Sequence, residues 1–450
     1  MNYVDFRTFP RLKVAVLLTM ILSPNLFAEQ NQIPAGPLTL DKAVEEAMVH
    51  SPQVQKAQAA VKEAGWKKAE VFGAGFLPRI SATAYHYFSP QYTLTNINFG
   101  GNILTFPGFY PNTVGQLNVT IPIFNGLSNV RQLQAASLME NASEKELSRT
   151  QFQLAEDIQL AFYQALAAAQ LEDVAEENVK TLEDHLRQVK VQRQGGVATS
   201  YDTLRVEVQL NEARADAIDA KDNVEITRKK LTQLIGSEYD ERALEGFLPT
   251  PDAEKVKNIE IVNVATDRTD LQALNLRAEA ADKIQSAQNA WIIPSISVGG
   301  EYQLYDSQVY NQTVMNTGNY QSAYNVGIFL KWNLFDGGVG IAQANEAAYQ
   351  AIQSDKASRI AKLQVPYDFA YWKRRYVSNS DHYLSKKFDI TRSQESVRLA
   401  KAEERAGTRT STETLDAELD LFRAKAGVVT AQVNAVEAQI KLELALGRKI

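Results

Sequence analysis

Two short stretches concentrate side chains able to place charge at a helix end. One is Gly196-Val-Ala-Thr-Ser-Tyr-Asp202; the other is Gly407-Thr-Arg-Thr-Ser-Thr-Glu413. In each, the glycine suits the left-handed residue that ends a helix. Thr199 or Ser200, and Thr410 or Ser411, suit the N-cap of the next helix. Asp202 and Glu413 then fall in a first helical turn, where the peptide dipoles favour an anion. Those roles account for the glycines and hydroxyls. Asp416 needs more, because it follows Glu413 by three residues on the same helix face. Arg409 sits in the turn, within reach of Asp202 or of an acid on a neighbouring chain. This is the chemistry of breakable ion pairs and of a surface that attracts cations, not of bond making. The alternative is a solvated, capped helix end.

The stretches are copies. Gly407 follows Gly196 by 211 positions, and so does Phe335-Asp-Gly337 follow Phe124-Asn-Gly126. Leu442-Glu-Leu-Ala-Leu-Gly447 follows Leu231-Thr-Gln-Leu-Ile-Gly236 at the same offset. A gapless offset this long marks an internal duplication. It divides the chain into a first repeat, about 29–250, and a second, about 251–450. The copies differ where the charge lies: Arg409 stands opposite Ala198, and Asp416 opposite Arg205.

Each copy must supply the elements that hold its turn. Leu127 to Gln194 contains neither Gly nor Pro, and Ile341 to Arg405 contains only Pro366. At ~1.5 Å per residue, a helix of that length reaches roughly 100 Å. Its mixed three- and four-residue apolar spacing (Leu154, Ile158, Phe162, Leu166, then Leu182, Leu186, Val189) fits helix-on-helix packing. Pro366 predicts a kink or break. An earlier helix is expected from Thr39 or Asp41 to about Gly75, and its counterpart from Asp270 to Ile293.

After Pro78 and Pro294 the period drops to two. Strands are expected at about 79–90, 115–124, 295–305 and 323–335. Ile296, Val298, Gly300, Tyr302 and Leu304 oppose Ser295, Ser297, Gly299, Glu301 and Gln303. One apolar and one polar face over about ten residues suits a strand crossing a bilayer with water behind it. A half-buried strand of a soluble sandwich reads the same way. Ser89 to Gly115 and Asp306 to Ser322 have the composition of solvated loops.

Four strands cannot close a barrel, and an open sheet edge in lipid costs several kcal/mol per unpaired backbone group. Two chains would give eight strands around a filled interior; three give twelve, enough for a conduit.

Composition narrows the classes. The net charge of −6 and the lack of a basic stripe argue against nucleic acid. No Cys, and four scattered histidines (His50, His86, His185, His382), argue against a structural zinc site. No metal or other cofactor is expected. No nucleophile motif is present, and Gly337-Gly-Val-Gly340 lacks the βαβ setting of a phosphate loop, reading instead as a strand-to-helix turn. An enzyme is therefore not expected. Arg7, Arg11 and Lys13 before the apolar Val14–Leu22 predict a secretory signal over 1–28, cleaved after Ala28.

Leu77-Pro78, Phe124-Asn-Gly126, Phe335-Asp-Gly337 and the Gly-x-x-x-Ser-x-Asp/Glu-x-Leu turns, duplicated and in order, resemble the TolC-type outer membrane efflux protein family over about residues 38–447. The resemblance implies a homotrimer whose 12-stranded transmembrane barrel stands in outer-membrane lipid on an α-helical periplasmic tunnel. It implies a passive duct for efflux or type I secretion, joined through a periplasmic adaptor to an inner-membrane transporter. It implies that Asp202, Arg409, Glu413 and Asp416 close the periplasmic entrance. The family's aromatic three residues before the turn glycine is replaced here by Arg193 and Glu404, and an Arg193–Glu404 contact is the expected substitute. The competing reading is a structural periplasmic coiled-coil protein without a channel.

Overall fold

The computed structural model describes residues 36–88, 92–109, 111, 113–237, 242–260, 268–306 and 320–450. Leu38–Ile450 form one compact unit. The expected signal over 1–28 lies outside the described residues.

The duplication governs the helices. Helix α3 spans Ser128–Gln194 and α4 spans Ser200–Ile235. Their counterparts are α7, Val339–Arg405, and α8, Ser411–Leu446. Every one of these bounds repeats at the 211-residue offset. Both long helices have 67 residues, so each is ~100 Å long. Helix α7 runs through Pro366 without a break. The missing N–H removes one hydrogen bond, which the packing of so long a helix tolerates.

Shorter helices complete each copy: α1 (Leu40–His50) and α2 (Pro52–Phe76), then α5 (Glu254–Lys257) and α6 (Thr269–Gln288). The single helix expected up to Gly75 is two. Ser51 turns extended and Pro52, lacking an N–H, starts the second. Thr39 is the N-cap of α1. The helix expected through Ile293 ends at Gln288 and tightens to a 3-10 turn at Asn289–Ile292.

The strands are β1 (Arg79–His86), β2 (Tyr92–Phe99), β3 (Asn102–Phe109), β4 (Thr113–Phe124), β5 (Ser295–Asp306) and β6 (Tyr320–Lys331). They form an antiparallel four-stranded sheet in the order β1-β4-β5-β6. Alternation runs across it in rows. Ser81, Asn118, Glu301 and Asn325 are cross-strand partners, and so are Ala82, Leu117, Tyr302 and Tyr324. Along β6, Tyr324, Val326 and Ile328 are 82%, 77% and 76% exposed, an apolar face the chain leaves uncovered.

Two expectations for the strand region need correction. The solvated loop expected over Ser89–Gly115 contains the β2–β3 hairpin. It turns at Gly100 and Gly101, both at positive φ, as a two-residue hairpin turn requires. The last strand stops at Lys331, so Trp332 and Leu334 lie beyond it. The Trp332 indole N–H instead donates to Ile292 O at 3.0 Å.

Apolar clusters join the helices. Leu38, Ala43 and Val54 pack with Leu154, Ile158, Phe162, Leu231 and Ile235. Val256 and Leu271 pack with Val365, Tyr376, Leu442 and Leu446. A separate cluster of Leu182, Val189, Val206, Leu210 and Leu415 supports the helix turns. Among the described residues no helix is long and apolar enough to cross a membrane.

Candidate functional site: the paired helix turns

Each long helix ends in the same device. Val197 N–H donates to Gln192 O and Gly196 N–H to Arg193 O. Thr408 to Glu403 and Gly407 to Glu404 repeat that pattern. These are the crossed bonds of a Schellman C-cap. Gly196 and Gly407 stand at φ 81° and 75° with open space where a Cβ would lie. Conformation, not room, is what requires glycine there.

The threonine, not the serine, caps the following helix. Thr199 and Asp202 form a reciprocal capping box, and Thr410 and Glu413 form its copy. Thr199 N–H reaches Asp202 Oδ2 at 2.8 Å, and Thr410 N–H reaches Glu413 Oε2 at 2.9 Å. The threonine hydroxyl and amide hold the Asp202 carboxyl below its usual range, as the Thr410 amide and hydroxyl do for Glu413. Ser200 and Ser411 are the first helical residues.

The two turns are tied to each other. Thr412 Oγ1 donates to Asp202 Oδ1 at 3.3 Å. Arg205 Nη2 donates to Asp416 Oδ1 at 2.9 Å. Gln192 Nε2 donates to Glu404 Oε1 at 3.0 Å. The Arg193–Glu404 contact expected from sequence is thus replaced by its neighbour, Gln192. Arg409 does not pair with Asp202 within the chain; its Nε lies 3.1 Å from Glu403 Oε2, at the end of its own copy's long helix. A turn arginine reaches the last carboxylates of the helix it follows more readily than it reaches another hairpin.

A buried charge cluster lies just above the turns, unanticipated by the sequence reading. His185 Nδ1 is 3.0 Å from Glu418 Oε2, His185 Nε2 is 2.9 Å from Ser411 Oγ, and Lys401 Nζ is 2.7 Å from Glu418 Oε1. His185 and Glu418 are buried. Burial works to raise the Glu418 carboxyl, but hydrogen bonds from His185 and Lys401 outweigh it and hold it low. The repeat contained the signal. Lys190 and Glu207, the same positions in the first copy, also pair, at 3.1 Å, in an exposed setting. Only the second copy draws its glutamate into the core.

Among the described residues no cluster of three His, Asp or Glu side chains is placed to hold a metal. What the turns provide is a helix-hairpin end held by exposed, reversible polar links.

Comparison with known proteins bears on where such an end occurs. The family model described as outer membrane efflux protein matches residues 43–237 and 261–448. The outer membrane protein TolC of Escherichia coli is 21% identical over 421 residues, 91% of this chain and 82% of that one. TolC of Vibrio cholerae is 20% identical over 322 residues, 70% of this chain and 72% of that one. Among solved structures, CusC superposes with a TM-score of 0.76 at 17% identity, covering 92% and 95% of the two chains. The open-state MtrE outer membrane channel of Neisseria gonorrhoeae superposes with a TM-score of 0.71 at 20% identity, covering 91% and 89%.

Proposed function

This chain belongs to the outer membrane efflux protein family, and from that premise we propose that three copies assemble into a passive export duct of the outer membrane. The observation that carries the reading is the sheet. Its four strands end in two open edges, β1 and β6, and one face of β6 is apolar and exposed. Unpaired edges are costly in lipid unless another strand pairs with them, and an exposed apolar face is costly in water unless lipid or protein covers it. Strand directions alternate across the sheet, so β6 of one copy meets β1 of the next antiparallel. Three copies give a closed twelve-stranded barrel, wide enough to conduct. The polar row through Asn118 and Glu301 then faces water, and the apolar row through Leu117 and Tyr302 faces lipid.

The hairpins α3–α4 and α7–α8 extend this barrel as a tunnel into the periplasm. Its free end is the pair of turns. Asp202, Arg409, Glu413 and Asp416, with Arg193 and Glu404 beside them, hold that entrance closed and give it cation preference. Asp416 is already engaged by Arg205, so the uncompensated charge comes from Asp202, Glu404 and Glu413, whose hydrogen bonds come from neutral groups. Val197, Tyr201 and Leu204 are exposed at the first turn and offer an apolar face to a periplasmic adaptor, which links the duct to an inner-membrane transporter. The duct serves efflux or type I secretion.

Heat-modifiable migration of an outer-membrane fraction, a crosslinked trimer, and ohmic single channels in a planar bilayer are the expected results. A monomer that does not conduct would leave the structural coiled-coil reading in its place.

A further inference from the structure

A second buried acidic cluster lies far from the turns. Glu156 on α3 is 0% exposed, and Glu443 on α8 is 2% exposed. No described donor reaches either oxygen of Glu156, whose polar neighbour across the seam is the Glu443 carboxyl. A buried carboxylate without partners is not a stable arrangement. The two helices meet here through Leu160, Val436, Ile440 and Leu444. Glu156 stands one turn before Leu160, and Glu443 is adjacent to Leu444.

The surroundings show which glutamate is the anion. Gln439 Nε2 donates to Glu443 Oε1 at 2.9 Å, and the Ile450 backbone also donates to Glu443. Glu443 therefore has donors suited to a carboxylate, and Glu156 has none. Two carboxylates cannot hydrogen-bond to each other; an acid and a carboxylate can.

We propose that Glu156 and Glu443 are a proton-binding site, in which Glu156 holds the proton and donates it to Glu443, clasping α3 to the root of α8. The clasp joins a helix of the first copy to the last helix of the second. That helix begins at the turn bearing Glu413 and Asp416, about 45 Å away at ~1.5 Å per residue. The proposal concerns one chain and does not depend on the channel reading.

Other charges facing the seam support this assignment. Burial, and then the charge of Glu443, push the Glu156 carboxyl up to about 7, and Asp157 adds to the rise. Burial also raises Glu443. Lys449 works against both shifts without reversing them. Tyr163 on α3 is raised by burial, by Glu443 and by Asp41 of α1. Arg149, two turns before Glu156, reaches the seam at the Leu444 carbonyl, to which it donates at 3.2 Å, and the charges facing it are Asp270 and Arg268 at the start of α6 and Asp157.

Hydrogen exchange on the full-length protein in detergent tests the clasp. With Glu156 at about 7 when clasped and near 4.5 when open, the opening equilibrium of the 436–446 segment rises ~30-fold between pH 5.5 and 8.5, after correction for intrinsic exchange. Glu156→Gln supplies a permanent N–H donor to Glu443, so its protection is flat over that range. In wild-type protein, infrared difference spectra between pH 6 and 8 show loss of a protonated carboxyl band. That second readout needs no variant and holds even if Glu156→Gln fails to fold. Wild-type protection independent of pH, an unchanged slope in a folded Glu156→Gln, or no carboxyl band at pH 6 would each overturn the proposal.

Discussion

Arg205 and Asp416 occupy the same position in the two copies, and they bond to each other at 2.9 Å. Duplication alone would place like residues there. Instead the copies have diverged to opposite charges, and the divergence ties one hairpin to the other. Both side chains are well exposed, so the pair adds under ~1 kcal/mol to stability. Its effect belongs to the entrance. Arg205→Ala and Asp416→Ala should each raise single-channel conductance, and the double variant should add little to either, because one link is lost in all three. Melting should shift very little. Additive conductance changes would show that the two residues act apart.

The capping boxes set the local stability of the turns. Thr199→Ala and Thr410→Ala should each cost about 1 kcal/mol, with Thr→Ser close to neutral. The readout is hydrogen exchange in the first turns of α4 and α8. Equal protection in Thr410→Ala and wild type would mean that the Glu413 carboxylate caps the helix without its threonine.

Acid should loosen the seam between the turns. Glu418 is held below its usual 4.5 by His185 and Lys401, against burial. A carboxyl depressed in the folded chain stabilises it fully above the unfolded value and loses that contribution as pH falls through the folded value. The turn seam is therefore intact from pH 7 to about 4.5 and weakens below. Glu418→Gln should remove this acid-side decline and lower stability at neutral pH, since the buried His185 and the partly exposed Lys401 both lose the carboxylate they contact. Thermal melts from pH 3 to 7 measure both. The seam at Glu156 has the opposite sign and loosens on the alkaline side, so the two ends of α8 respond to pH in opposite directions.

Gly340 opens α7 against Trp291. A Cβ there would lie 2.3 Å from Trp291 ring carbons, and Asp336 caps the same turn through the N–H groups of Gly338 and Gly340. Gly340→Ala should cost about 1–3 kcal/mol by overpacking and lower the yield of folded protein in the outer membrane. A normal yield would mean that the indole has room to move.

Much of this was legible from spelling. The 211-residue offset fixed α3, α4, α7 and α8, because uninterrupted helices copy their length when their sequence is copied. The strands were legible from alternation, but their ends were not: a β-strand stops where pairing stops, and Trp332 continues the pattern after the partner is lost. The β2–β3 hairpin was readable from Gly100-Gly101 and was obscured by its polar, loop-like composition. At the turns, residue types identified the caps but not the pairings. Arg409 had several acids within reach, and only three-dimensional packing selects Glu403. The buried His185–Glu418 contact and the Glu156–Glu443 seam join residues more than two hundred positions apart, where no local pattern connects them.

The shared barrel is tested most directly by disulfide crosslinking between sheet edges. The chain has no cysteine, so introduced pairs report without background. Cysteines placed together at Ser81, Thr83 or Tyr85 of β1 and at Gln321, Ala323 or Asn325 of β6 would be oxidised in outer membranes and run on denaturing gels. A covalent trimer in at least one register, absent from each single variant, is the result expected if β6 of one copy pairs with β1 of the next. Monomers in every register, or products that stop at the dimer, would contradict a barrel built from three chains.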